Sequence, residues 1–186
     1  MSEVESWRAF TNSGYGVPSA VFDQAFDSDK IVAFSALIPR SYEIMESIVG
    51  REVDWPDFID AMTDDEIAEG ESVGGGHGLY DSLTQSVKIN PKMSAFNIFL
   101  NFIHENFHHS NPELVGPKTS RRHRHIEINE RMLPAFMSYM NAYVRSNPDI
   151  ANQVWLDILN GISKYVDITR MSRLPDPTYQ PHMRKK

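Results

Sequence analysis

Residues 104–108 read His-Glu-Asn-Phe-His, the pattern H-E-x-x-H. Residues four apart on a helix share a face, so His104 and His108 would present two imidazoles to one metal ion. Glu105 lies beside them, where a carboxylate can take a proton from a metal-held water. These three side chains suit hydrolysis by zinc-activated water, with a peptide bond as the foremost substrate and a non-peptide amide as another.

The surrounding residues provide the setting for such a site. From Met93 to Phe107 the chain is apolar nearly all round, with Phe96, Ile98, Phe99, Leu100, Phe102, Ile103 and Phe107. A helix of that kind is buried. Its polar residues, Asn97, Asn101, His104, Glu105 and His108, recur at spacings of three or four and form one stripe. Each buried polar group without a partner costs about 1–3 kcal/mol. A metal ion in a water-filled cleft would satisfy the stripe. Histidines hydrogen-bonded within the core, or a stripe facing solvent, are the structural alternatives. Asn97 and Asn101 are placed either to orient the imidazoles or to serve helix packing alone.

Catalytic zinc takes three protein ligands and keeps one position open. The third must come from further along the chain, from His109, Glu113, His123, His125, Glu127 or Glu130. In the next long helix, Ile126, Leu133, Met137, Met140 and Val144 form an apolar stripe, and Glu130 falls inside it at helical spacing. Glu127 instead lines up with Arg131, Ser138 and Asn141 on a solvated face. A carboxylate within an apolar stripe needs a partner, so Glu130 is the expected third ligand, with Glu127 and His123 as rivals. His123, His125, Tyr139 and Tyr80 are the candidates for stabilising an oxyanion in the transition state.

A buried helix bearing H-E-x-x-H, followed by a carboxylate on the next long helix, resembles the zincin metallopeptidases of the Glu-ligand type. The resemblance covers roughly residues 78–145. It implies an α+β, mostly helical fold with a small sheet, whose edge strand lies beside the active-site helix and pairs with an extended substrate backbone. It also implies Zn2+ held by His104, His108 and Glu130, Glu105 as general base, and a peptide or protein substrate. The longer signature H-E-x-x-H-x-x-G-x-x-H is absent, because Asn111 and Leu114 stand where it requires Gly and His. The resemblance therefore stops short of the His-ligand metzincins.

Other segments must position these residues. Residues 1–17 read as a polar lead-in, and 19–27 as a short amphipathic helix. The apolar run Ile31–Ile38 stops at Pro39, which would open a helix to about Val49, closed by Gly50. Trp55-Pro56 would start a short helix, and Thr63-Asp64-Asp65-Glu66 reads as a capping box for another. Gly74–Gly78 reads as a loop, not a phosphate cradle, since no GxGxxG or Walker pattern is present. Leu83–Ile89 alternates as a half-buried strand, ended by Asn90-Pro91 where the motif helix begins. A helix is expected from about Arg122 to Arg145, kinked at Pro134. Asn147-Pro148-Asp149 would start another, carrying a stripe of Ala151, Val154, Ile158, Ile162 and Tyr165. The basic, Pro-containing tail 172–186 is expected to be extended or disordered.

The 186 residues are the size of one domain with a real core. Hydrophobic residues at 41% and charged residues at 23% fit a globular chain. A net charge of -7 argues against nucleic acid as the main partner. The basic segment Lys118–His125 keeps a nucleic-acid-binding module as one rival reading, and a catalytically inactive zincin-like interaction protein is the other. With no cysteine there is neither a disulfide nor a thiolate-ligated metal. An acidic start without an apolar core, and no membrane-length apolar run, lead to the expectation of a cytoplasmic protein outside the membrane.

Overall fold

The computed structural model describes residues 17–18, 28–53, 56, 58–72, 76–115, 121–146 and 153–172. The segments 1–16, 19–27, 147–152 and 173–186 lie outside the described residues, and with them the expected lead-in, first short helix, Asn147 helix start and most of the tail. The chain is α+β, mostly helical with one small sheet. In order, its elements are β1 (Val17–Pro18), α1 (Ser28–Val49), β2 (Phe58–Ala61), α2 (Asp64–Ser72), β3 (Gly78–Asp81) and β4 (Ser86–Ile89). Then follow α3 (Ala95–Ser110), a 3-10 turn (Pro112–Leu114), α4 (Arg121–Ile126), a π-helical segment (Glu127–Met132), α5 (Leu133–Arg145) and α6 (Gln153–Ser172).

The sheet runs β1-β2-β4-β3, with β1, β2 and β4 parallel and β3 antiparallel at the edge. Two expectations fail here. The residues after Pro56 form β2, not a helix, because Ile59 and Ala61 are buried and the strand pairs on both sides with β1 and β4. The strand expected over Leu83–Ile89 starts only at Ser86. Leu83 is 94% exposed in a turn held by Asp81, whose carboxylate accepts from Leu83 N–H at 2.9 Å and from Thr84 Oγ1 at 2.9 Å. The edge strand is thus β3, which starts at Gly78, the last residue of the segment read as loop, and β4 is internal, with Val87 and Ile89 both buried.

One further boundary differs. Pro39 lies inside α1 instead of opening it, with the buried Leu37 and Tyr42 on either side of it. Packing that covers both turns outweighs the local cost of a proline, about 3 kcal/mol. Gly50 closes this helix at φ +73, as expected. The capping box also forms: Thr63 N–H donates to Glu66 Oε2 at 2.8 Å, and Glu66 N–H donates to Thr63 Oγ1 at 3.3 Å.

The core lies between the sheet and the helices. On α3, Ile98, Phe99, Ile103 and Phe107 are fully enclosed. Phe136 of α5 meets Phe99 and Phe107 with ring centroids 6.2 Å apart in both pairs. Losing one such ring would cost about 3–5 kcal/mol. Ile158, Ile162 and Val166 of α6 complete the cluster. The site helix is therefore clamped largely by apolar packing, joined by the Tyr42 hydroxyl, which donates to the Oδ1 of buried Asn106. Among the described residues, no helix is long and apolar enough to cross a membrane.

Candidate metal centre

The stripe on α3 grades from exposed Asn97, through half-buried Asn101 and His104, to buried Glu105 and His108. Helical spacing brings the two imidazoles together, with Nε2 of His104 and Nε2 of His108 3.2 Å apart. Two nitrogens bound tetrahedrally to one zinc at the usual bond length would stand about 3.3 Å apart. The third group beside them is His125 of α4. One nitrogen from each of His104, His108 and His125 lies within 4.8 Å of the others.

Glu130 does not join this set. It is exposed, as an ordinary solvated carboxylate would be. The cause is the π segment. Leu133 N–H reaches back five residues to Ile128 O, so the helix gains a residue in that turn. The inward face then passes from Leu133 to fully buried Ile128 rather than to Glu130 and Ile126, and Ile126 is 39% exposed. Three residues before Ile128 on the same face is His125. Pro134, which lacks the N–H that would bond Glu130 O in an α-helix, sits at the end of this turn. The other sequence candidates lie elsewhere. Glu127 pairs with Arg131 at 2.8 Å on the solvated face, as its spacing suggested. His123 is exposed. Tyr139 is 57% exposed and lines none of the cavities described below.

The residue that orients His104 was not among the candidates. Asn129 Oδ1, from the π segment, accepts from His104 Nδ1 at 3.0 Å, which leaves the His104 Nε2 lone pair facing the cluster. Asn101 is occupied otherwise, donating to Asn97 O at 2.8 Å along its own helix. The Nδ1 of His108 is buried against the Leu114 carbonyl without meeting it in a well-formed hydrogen bond. Both Nδ1 atoms are thus turned away, and the two Nε2 atoms converge at hydrogen-bond distance, close enough to share a proton or a cation.

Glu105 is 8% exposed, tucked under β3. Tyr80 N–H, on the outer edge of that strand, donates to its carboxylate. The strand approaches so closely that a Cβ on Gly78 would stand 3.0 Å from both Cγ and Oε1 of Glu105. The Tyr80 hydroxyl pairs away from the cluster, with His109 Nδ1 at 3.0 Å. Two cavities, of about 350 Å³ and about 320 Å³, flank the cluster and share Gly78, Glu105 and His125 as lining.

Burial governs the electrostatics. It pushes the Glu105 carboxyl up to about 8, offset only in part by the Tyr80 N–H. Burial, reinforced by His125, lowers His104 to about 4 against the pull of Asn129. Burial and the neighbouring His104 and His125 lower His108 to about 3. The His104 and His108 imidazoles are therefore neutral near pH 7 and available as ligands.

In the metal-free protein these shifts oppose one another. The two histidines bind fewer protons folded than unfolded between about 4 and 6.5, so their contribution grows as pH rises through that window. Glu105 binds more protons folded than unfolded between 4.5 and about 8, so its contribution falls as pH rises there. The histidines prevail below pH 6.5 and Glu105 acts alone above it. The denaturation midpoint measured in chelator is expected to peak near pH 6.5 and decline towards pH 8. A midpoint still rising at pH 8 would contradict a buried Glu105.

Comparison with protein families, with curated proteins and with solved structures finds no match to this chain.

Proposed function

We propose that this chain is a zinc-dependent hydrolase of the zincin kind that cleaves peptide bonds. The observation that carries the proposal is the convergence of His104, His108 and His125 beside a buried Glu105, itself held by the backbone of an edge strand. Three imidazoles, those of His104 and His108 held neutral by burial, are a donor set that suits zinc. Zinc bound there would lower the pKa of a water to roughly 7 and polarise a carbonyl.

The chain's own residues would do the rest. Asn129 holds His104 in the tautomer whose Nε2 faces the cluster. Glu105, beside the cluster and lining both flanking cavities, would be held as the carboxylate by the charge of a bound zinc, and could then accept the proton of the attacking water and return it to the leaving amine. Tyr80 N–H fixes the direction of that carboxylate. The outer edge of β3 offers backbone groups to an extended peptide.

The direct test is elemental analysis of the purified protein alongside hydrolysis of a mixed peptide library. Near one zinc per chain is expected, with cleavage abolished by chelation and restored by added zinc. Protein that takes up no metal, or cleavage indifferent to chelation, would overturn the proposal. A finer test concerns Gly78. Gly78→Ala would push a methyl into the Glu105 carboxylate. Because a misplacement of about 1 Å can cost about 100-fold, kcat/KM is expected to fall about 10- to 100-fold with the circular-dichroism spectrum unchanged. Unaltered kcat/KM would mean that β3 does not position the base.

A further inference from the structure

The cavities beside the cluster belong to a longer groove with unequal ends. A third cavity, of about 410 Å³, adjoins the second through shared lining by Tyr80 and Val115. Together the three follow β3 and the turn after it, from Gly76 at one end to Gln85 at the other. Their charges are not evenly spread. Among the described residues, no lysine or arginine lines the cavity at the Gly76 end. The middle cavity is lined by Arg124, and the far one by Arg51 and His109. Among the described residues, Glu105 is the single carboxylate that lines any of the three.

Arg124 reaches this wall for the same reason as His125: it stands four residues before buried Ile128, on the face the π segment turns inward. Arg51 is anchored at the far end, its guanidinium donating to Ser110 O. Arg124 and Arg51 thus place two guanidinium groups along one half of the groove, in a chain of net charge -7.

Resting on the hydrolase reading, we propose that Arg124 is a specificity-determining residue, which selects substrates bearing an Asp or Glu side chain on the Arg124 side of the scissile bond. Arginine matches a carboxylate with two parallel hydrogen bonds. The groove continues past Arg124 into the cavity at Arg51, so a bound chain runs on, and the carboxylate is a side chain within it rather than the chain's end.

Binding tests this without requiring turnover. Two fluorescein-labelled, C-terminally amidated decapeptides, one with Asp at alternate positions and one with Asn in its place, are titrated onto Glu105→Gln protein by anisotropy. The Asp peptide is expected to bind about tenfold tighter, by a margin that narrows at high salt. Arg124→Gln should erase the margin, and Arg124→Lys, which keeps the charge but not the paired hydrogen bonds, should keep only part of it. Equal binding of the two peptides, or a margin intact in Arg124→Gln, would overturn the proposal. If Arg124→Gln does not fold, the wild-type margin, its salt dependence and the Arg124→Lys variant decide the matter. An Asn peptide with a free C-terminus that binds as tightly as the Asp peptide would assign the carboxylate to the chain end and overturn the side-chain assignment. Cleavage without any acidic preference would sink this inference alone, whereas acidic binding without metal-dependent cleavage would sink the hydrolase reading.

Discussion

Glu105→Gln is expected to give a folded, zinc-binding protein whose turnover falls about 10²- to 10⁴-fold, the usual contribution of a positioned general base. The substitution is nearly isosteric, and the amide oxygen can still accept from Tyr80 N–H, so β3 keeps its place. What is lost is the basic oxygen that takes the proton. A second readout separates loss of chemistry from damage to the fold. Burial disfavours the Glu105 carboxylate and holds its pKa at about 8, so a neutral amide removes a cost that grows as pH rises from 4.5 to 8. Metal-free Glu105→Gln should therefore lose the stability decline between pH 6.5 and 8 that the wild type shows. Turnover within a few-fold of wild type would remove Glu105 as the base.

His125→Ala is expected to release the metal, and Glu130→Ala to keep it. The His125 ring meets those of His104 and His108 at centroid distances of 5.4 and 5.7 Å, whereas Glu130 is solvated on the outside of the π segment. Groups that only orient a ligand are worth about 10- to 100-fold in metal affinity, so loss of the ligand itself should exceed about 100-fold. Competition against a chromophoric chelator, with elemental analysis of both variants, measures this directly. Zinc retained in His125→Ala and lost in Glu130→Ala would reinstate the carboxylate ligand.

The parts legible from sequence are those set by neighbours in the chain. The capping box of Thr63 and Glu66, the cap at Gly50 and the buried motif helix all form as local pattern suggests. The sheet was legible only in part. The residues of β3 are few and begin with glycine, and the alternation from Leu83 to Ile89 runs straight through a turn. Nothing local tells that Asp81 will cap that turn, nor that β2 will find β1 and β4 as partners. Strand pairing is a long-range event, and four-residue strands carry too little periodicity to announce it.

The same division runs through the site. Sequence alone determined that His104, Glu105 and His108 share one face of a buried helix, because a four-residue helical spacing leaves no other arrangement. It also determined that this face carries a polar stripe along a largely apolar helix. Only tertiary structure decided the third imidazole, the orienting amide and the strand over the base. His125 and Asn129 reach the cluster because a π turn next to Pro134 shifts the helix by one residue, a shift that regular periodicity conceals. Glu130, placed inward by that periodicity, is carried outward by the same extra residue.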